Sequence, residues 1–269
     1  MDAPRQYRIC VNVLTRKGLL NDLVSVRELI LMLESAAPSL VPDKIGMIEP
    51  LTHAYSDEFF VEYAGAPYLL VMFKRRRPRV SGAVAAAVFE EFGWVDVFFD
   101  VPSTMFGEVK AVFTQWICIE KIVFAEMAVP TEPIVARGRG SHTLTRASNR
   151  SPWDIQFSIW GLLRGIPDLY WGTCLGADYL DAIGRARVLA APAAVVREVS
   201  DGVYLQLTED PVDMVERPEL VEAARNRVVE HLGVKFFYDP GRAKGHRAVV
   251  PESIRSMIPE SGMVNVVFD

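Results

Sequence analysis

The sequence predicts an α+β fold in which helices pack on mixed or antiparallel sheets. Three observations lead to this prediction: residues 7–15 alternate with the period of a strand, residues 105–116 repeat large apolar side chains at helical spacing, and Asp201-Gly202 separates two further alternating runs. From residue 7 to residue 100 the expected order of elements is β-α-β-β-α-β, as in ferredoxin-like, split βαβ folds. The N-terminal half is therefore a candidate for a ferredoxin-like arrangement.

Each element of the N-terminal half is predicted from a local pattern. Ser25 and Glu28 have the spacing of a capping box, apolar residues on one helical face follow them, and Pro38 helps to end this helix. The segment SGAVAAAVFEEFG at 81–93 is predicted to be a helix that stops at its last glycine. The other predicted elements are strands at 45–49, 68–74, 94–100 and 119–129 and a core helix at 105–116.

The C-terminal half follows a predicted loop or linker at about 131–152, which is poor in apolar residues. Pro167 and Asp168 resemble a helix start, and Gly172 and Gly176 indicate either a tightly packed helix face or a break near Gly176. The remaining predictions are a hairpin at 195–208 whose Asp201-Gly202 turn supplies positive φ angles, a helix at about 218–232 that ends at Gly233, and a strand at 263–268. The two halves, 1–130 and 153–269, are open to packing as separate domains or as one.

Composition narrows the class of protein. Half of the 269 residues are hydrophobic, which is enough for a sizeable core, and a net charge of -5 argues against a general nucleic-acid partner. The three widely spaced cysteines predict reduced, buried thiols without disulfides, and no secretory signal or 18-residue apolar stretch is found. We therefore expect a cytoplasmic protein that neither binds nucleic acid nor enters a membrane.

The sequence offers little catalytic chemistry. It has no P-loop, and its four histidines lack the close spacing to each other or to cysteine that a zinc site requires. Cys174, between glycines and aromatic residues, is the strongest nucleophile candidate, and Asp178 and Asp181 could share a helix face as paired carboxylates. The buried or solvated alternative is favoured for each of them, so we assign no catalytic residue, no metal and no cofactor.

Two clusters of charge are candidate partner-binding surfaces. KRRRPR at 74–79 contains Lys74, Arg75, Arg76 and Arg77 at the end of a predicted strand. Between residues 201 and 222 there are seven acidic residues and one arginine, and the candidates among the acids are Glu209, Asp210, Asp213 and Glu216. An exposed cluster of one sign attracts a partner of the opposite sign and speeds its association.

The segment from Ile166 to Pro211 resembles the C-terminal part of the type VI immunity family, bacterial proteins that neutralise toxins delivered to competitors. The resemblance is carried by the motif residues Trp171, Gly172, Gly176, Asp201 and Gly202, together with Ile183-Gly184, Ala191-Pro192 and the run LQLT at 205–208. It implies an α+β immunity protein that binds and occludes a cognate toxin without catalysis, and it implies that the motif residues are scaffold.

Two other functions stay open at the level of sequence. One is a small-molecule hydrolase or transferase that uses Cys174 or His246 with a nearby carboxylate. The other is a structural subunit, including a homo-oligomer, without a separate active site.

Overall fold

A computed structural model describes residues 4–16, 23–63, 70–88, 92–119, 121–138, 142–145, 154–157, 159–241 and 248–256 of the chain. The strands are β1 (Tyr7–Arg16), β2 (Lys44–Gly46), β3 (His53–Ala54), β4 (Leu70–Arg75), β5 (Arg79–Val88), β6 (Phe92–Val101), β7 (Ile122–Ala128), β8 (His142–Thr145), β9 (Asp154–Phe157), β10 (Gly172–Leu175), β11 (Val195–Val199) and β12 (Gly202–Gln206). The α-helices are α1 (Leu23–Ala36), α2 (Asp57–Glu62), α3 (Phe106–Trp116), α4 (Glu132–Gly138), α5 (Ile159–Leu162), α6 (Ala177–Ile183), α7 (Arg185–Leu189), α8 (Asp213–Glu216), α9 (Pro218–Leu232) and α10 (Glu252–Arg255).

Ten of these strands form one sheet in the order β11-β12-β10-β7-β1-β6-β5-β4-β2-β3, and β8 and β9 form a separate pair. Every neighbouring pair in the large sheet is antiparallel. Strands from both predicted halves of the chain therefore share this sheet. The α+β fold class predicted from the sequence is confirmed.

The predicted ferredoxin-like order of the N-terminal half is wrong, although the chain contains one split βαβ unit. β6, α3 and β7 form a split βαβ unit, because β1 lies between β6 and β7 and is antiparallel to both. β1, α1 and β2 do not form the second such unit, since three strands separate β1 from β2. The reason is that residues 81–93, predicted to be a helix, instead contribute strand β5 and the start of β6.

Packing explains why an alanine-rich segment becomes a strand. Gly82 in β5 pairs with Phe73 in β4, and a Cβ atom at Gly82 would lie 2.2 Å from Cζ of the Phe73 ring. The ring thus lies over β5, where only a small side chain fits. Pairing with β4 and β6 outweighs the intrinsic helix preference of alanine, which amounts to less than about 1 kcal/mol per residue.

The two faces of the large sheet are covered by different helices. On one face, alternate β1 residues such as Val11 and Val13 pack with the buried residues of α1, α2 and α3. On the other face, Leu14 and Phe124 pack with buried residues of α6, α7 and α9, and the small β8–β9 sheet adds Ile155 beside Cys10. The molecule therefore has three layers, with the large sheet in the middle.

Several predicted elements are confirmed and others are corrected. The helices at 105–116 and 218–232, the strands at 7–15, 94–100 and 119–129, and the hairpin at 195–208 are present with small shifts of their ends. The predicted capping box is wrong because α1 already begins at Leu23, before Ser25. In the hairpin, the positive φ belongs to Ser200 (48°), whereas Gly202 lies within β12.

The segment around Gly176 is a strand followed by a helix, since β10 ends at Leu175 and α6 begins at Ala177. A break near Gly176 is thus confirmed, and the shared helix face with Gly172 is wrong. The predicted linker at 131–152 contains α4 and β8 among its described residues. The predicted strand at 263–268 lies outside the described residues.

Candidate functional site

An open pocket of about 460 Å³ lies at one end of the large sheet. At this end, which we call the pocket end, β4, β6, β7 and β12 finish and β1, β5, β10 and β11 begin. Its walls come from the end of β7, the approach to β10, the exit from β12 and the helices α4, α8 and α9. The lining residues are Ala128, Thr131, Pro133, Ile134, Arg137, Leu169, Tyr170, Trp171, Leu207, Met214, Pro218, Glu219, Val221, Glu222 and Arg225.

A buried aspartate organises the charged side of this pocket. The carboxylate of Asp168, which is 1% exposed, lies 2.5 Å from Nε of Arg137 and 2.5 Å from Nε of Arg225. The backbone N–H of Leu169 donates a third hydrogen bond to Asp168, at 2.8 Å. Glu222 extends the network, since its carboxylate lies 3.0 Å from Nη1 of Arg137 and 3.7 Å from Nη1 of Arg225. These contacts tie α4 and α9 to the segment that leads into β10.

The pKa values of Arg137 and of the neighbouring Tyr170 are both raised. Burial lowers the pKa of the Arg137 guanidinium, but the Asp168 and Glu222 carboxylates outweigh burial and raise this pKa above its ordinary value. Burial raises the pKa of the Tyr170 hydroxyl well above its ordinary value, and the charges of Glu126 and Asp168 raise it further. Arg137 is therefore a cation and Tyr170 a neutral phenol throughout the physiological range of pH.

A row of buried polar side chains crosses the sheet next to this network. Asp96, Asn12, Glu126 and Thr173 are direct cross-strand neighbours on β6, β1, β7 and β10, and each is at most 5% exposed. The side-chain amide of Asn12 donates to Oε1 of Glu126 at 2.8 Å and to the backbone oxygen of Ile155 in β9 at 3.1 Å. The charge of Glu126 thus has a fixed position on the same face of the sheet as the pocket network.

The predicted acidic residues fall into two groups in the structure. Glu209, Asp210 and Glu216 are exposed, and none of them forms an ion pair with another described residue. Asp213 is buried instead, and it accepts a hydrogen bond from Nε of Arg217 at 2.7 Å. All four lie in the segment that joins β12 to α9, and this segment also contains the pocket-lining Met214 of α8.

The predicted basic residues also fall into two groups, with and without an ion pair among the described residues. Lys74 forms an ion pair with a glutamate, and Nη1 of Arg75 lies 3.4 Å from Oδ1 of Asp43. Arg76 and Arg77 are exposed in the β4–β5 turn, and their guanidinium groups form no ion pair with a described carboxylate. The backbone N–H of Arg76 donates to Oδ2 of Asp43 at 2.9 Å. This turn is at the pocket end, but five strand spacings, about 24 Å, separate it from β12. The two charged clusters are therefore separate surfaces.

The glycines of the family-like motif lie where backbones approach closely. A Cβ atom at Gly176 would lie 1.7 Å from the backbone oxygen of Ile122, and one at Gly202 would lie 2.9 Å from a backbone oxygen of β10. At Gly172 a Cβ atom would lie 2.9 Å from the ring of Phe113 in α3. Larger residues at these positions would push β10 away from its neighbours and so move a wall of the pocket.

Trp171 and Asp201, the other two motif residues, have different surroundings. Trp171 lines the pocket, is 1% exposed, and donates from Nε1 to the hydroxyl of Thr208 at 2.9 Å. Asp201 lies in the β11–β12 turn, where its backbone oxygen accepts a hydrogen bond from Arg185 at 3.0 Å. Only Trp171 of this pair belongs to the site.

The nucleophile candidates are not at the pocket in a reactive form. Cys174 is fully buried in β10, and burial raises the pKa of its thiol far above its ordinary value, followed in size by the charge of Asp201. A buried, protonated thiol is a poor nucleophile. Cys10 is buried as predicted, whereas the prediction of burial is wrong for Cys118, which is exposed. His246 lies outside the described residues.

Asp178 and Asp181, the candidate pair of carboxylates, have different surroundings. Asp178 is bound by Arg16, whose Nε lies 3.2 Å away, and by the hydroxyl of Ser253, whereas Asp181 is exposed. Asp178 therefore ties α6 to β1 and α10.

Within the described ranges, no group of three or more histidine, cysteine, aspartate or glutamate side chains could hold a metal ion. Nor does any described helix combine the length and apolar character needed to cross a bilayer. Neither the protein-family models nor the curated proteins that we searched gave a significant match to the chain.

Sequence reasoning missed the pocket and most of its network. The predicted helix start at Pro167 and Asp168 is wrong, because residues 167–170 belong to no helix or strand, and Arg137 lies within the predicted linker. No local pattern links Asp168 to Arg137 and Arg225, which are 31 and 57 positions away in the chain. A signal did exist for the polar row. Asn12 and Glu126 stand in strands that are otherwise mostly apolar, and a charged or amide group at such a position requires a buried partner.

Proposed function

We propose that this protein is an immunity protein that binds a cognate bacterial toxin and covers its working groove, with the pocket end as the contact surface. One observation carries the proposal. Glu209, Asp210, Glu216 and Glu219 are exposed, have no ion pair among the described residues, and lie along the segment that borders an apolar pocket. Uncompensated carboxylates beside an apolar cavity suit the recognition of a basic protein surface.

The core and the rim of a protein interface contribute differently to binding. Apolar anchors buried in pockets supply most of the affinity of a protein complex, whereas charges at the rim speed the encounter and select the partner. The pocket walls include Ile134, Leu207, Met214 and Val221. Glu219 is also part of the lining, whereas Glu209, Asp210 and Glu216 lie outside it. The pocket end therefore has both parts of such an interface.

The resemblance of residues 166–211 to the type VI immunity family supports the choice of a toxin as the partner. Residues that carry this resemblance, such as Trp171 and Gly172, form or support a wall of the pocket. The acidic surface is preferred to the basic turn because it borders the pocket, whereas no residue of the turn lines it, and because Lys74 and Arg75 are already paired within the chain. We infer that the inhibitor acts in the cytoplasm, by occlusion and without a cofactor.

The experiment coexpresses this protein with the product of the neighbouring gene and measures growth and binding kinetics. The wild-type chain should restore growth, and association should slow as salt concentration rises, because salt screens exposed charges. The triple variant Glu209→Lys, Asp210→Lys, Glu216→Lys should associate at least about tenfold more slowly at low salt.

A matched control changes the net charge equally at another surface. Glu28, Glu58 and Glu230 are exposed acidic residues of α1, α2 and α9 that do not line the pocket. Lysine at these three positions should leave binding unchanged. Equal losses in both triple variants would contradict the contact surface, and failure of the wild-type chain to bind or to rescue would contradict the immunity function.

A further inference from the structure

The pocket has the volume of a ligand-binding site, and most of its lining residues are apolar. Its volume of about 460 Å³ falls within the range of small-molecule and anchor sites, roughly 300–1,000 Å³. It is about three times the size of a cavity of roughly 150 Å³ that holds benzene. A long side chain, together with part of a neighbouring one, would therefore fit inside.

The charges at the pocket favour a cation as the polar end of its ligand. The guanidinium groups of Arg137 and Arg225 are opposed by three carboxylates, those of Asp168, Glu219 and Glu222, so the net charge is negative. Both guanidinium groups already contact Asp168, and an anionic ligand would have to compete with it for them. Glu219 is exposed and forms no ion pair with another described residue, so it is accessible to a new cation. The carboxylate of Glu222 is 41% exposed and can contact the same cation while it stays bound to Arg137.

We propose that this pocket binds an apolar stem that ends in a cation, namely a lysine or arginine side chain of the toxin. That this side chain belongs to a toxin rests on the proposed function. The stem contacts the apolar walls that include Ile134 and Val221, and the cationic head is bound by Glu219 and Glu222. This side chain is the anchor of the complex, whereas Glu209 and Asp210 act at the rim.

The ligand chemistry can be tested without any toxin. The probes are 4-phenylbutylamine and 4-phenylbutyrate, which have the same apolar body and opposite charges, and binding is followed by protein NMR and thermal shift. The amine should bind with a dissociation constant in the millimolar range, as expected for a ligand of this size. The carboxylate should bind at least about tenfold more weakly. Equal or tighter binding of the carboxylate, or no binding of either probe, would overturn the inference.

Variants locate the binding site. Val221→Trp fills the pocket from α9 and should abolish amine binding, and Ile134→Trp does the same from α4 if the first variant does not fold. Glu219→Gln should weaken amine binding several-fold. Glu230→Gln, which removes an exposed carboxylate of α9 outside the lining, should leave it unchanged. Equal effects of the two glutamine variants would overturn the role of Glu219.

The toxin then tests the source of the cation. Val221→Trp should weaken toxin binding at least about 30-fold, the loss typical of an anchor residue. A wild-type chain that binds toxin while Val221→Trp binds it equally well would overturn the anchor and leave the proposed function intact. A wild-type chain that binds no toxin would contradict the proposed function, whereas the probe experiment would still test the cation site.

Discussion

Replacing Asp168 with asparagine tests the network on which the pocket depends. The substitution keeps the shape of the side chain and one oxygen for the N–H of Leu169, but it removes the charge between Arg137 and Arg225. It also places an N–H group opposite at least one guanidinium, so two donors face each other. The two arginines would then keep only the partly exposed Glu222 as a carboxylate partner in this network.

The magnitude follows from burial. Breaking a fully buried ion pair costs about 3–5 kcal/mol. Asp168 is 1% exposed, but the side chains of Arg137 and Arg225 are 24% and 14% exposed, so water can partly solvate them after the substitution. We therefore expect a loss near the lower limit, about 3 kcal/mol of unfolding free energy. For a chain of this size that corresponds to a melting temperature lower by roughly 6–12 °C.

The assay is urea denaturation followed by far-UV circular dichroism, with Asp57→Asn as the control. Asp57 pairs with Arg27 at 2.8 Å, but their side chains are 71% and 37% exposed, so the loss should stay below about 1 kcal/mol. If Asp168→Asn cost no more than this control, the claim that Asp168 holds α4 and α9 in place would be wrong. The variant should also bind 4-phenylbutylamine more weakly, because the pocket walls would lose their fixed spacing.

Two further predictions concern the contacts that hold the elements near the motif. Gly176→Ala should destabilise the protein by at least about 3 kcal/mol in the same assay, because its Cβ would overlap the backbone oxygen of Ile122. As the control, Gly107→Ala in α3 meets nothing within 4 Å and should stabilise the protein by up to about 1 kcal/mol. Similar melting temperatures for the two alanine variants would refute the steric argument. Burial alone would raise the pKa of Asp178, but hydrogen bonds from Arg16 and Ser253 outweigh it and hold this pKa below its ordinary value. The resulting stabilisation is complete above the unfolded-state pKa of about 3.9 and is lost as pH falls through the lower folded pKa. Asp178→Asn should therefore lower the free energy of unfolding at pH 7, and the difference in this free energy between variant and wild type should shrink in acid. A difference that does not depend on pH would contradict this.

The site also depends on how the two halves of the chain meet. β7 ends beside the pocket and pairs with β10, which in turn pairs with β12. The close backbone approaches at Gly176 and Gly202 hold these three strands together. The pocket walls on β7, β10 and β12 are therefore fixed relative to each other. The proposed anchor site requires this, because a pocket formed before its partner arrives loses less entropy on binding.

Local patterns in the sequence were sufficient for the α+β class and for many of the elements. Strand β1, helix α3, the β11–β12 hairpin and helix α9 each have an apolar period or a turn signal within a few residues, because the side-chain periods of helices and strands are set by neighbouring residues in the chain. They failed where a distant neighbour decided the outcome. The alanine-rich segment pairs with β4 and β6 as a strand, and the ring of Phe73 in β4 leaves room only for a small residue at Gly82.

Only the tertiary structure decided the candidate site. The sequence indicated an acidic surface and left Asp213 among its exposed members, but burial beside Arg217 removes Asp213 from that surface. Asp168, Arg137 and Arg225 come together from three separate segments, and no local pattern encodes their contact. The physical reason is that helix and strand periods depend on near neighbours in the chain, whereas a pocket and its charge balance depend on which distant segments the folded core brings into contact.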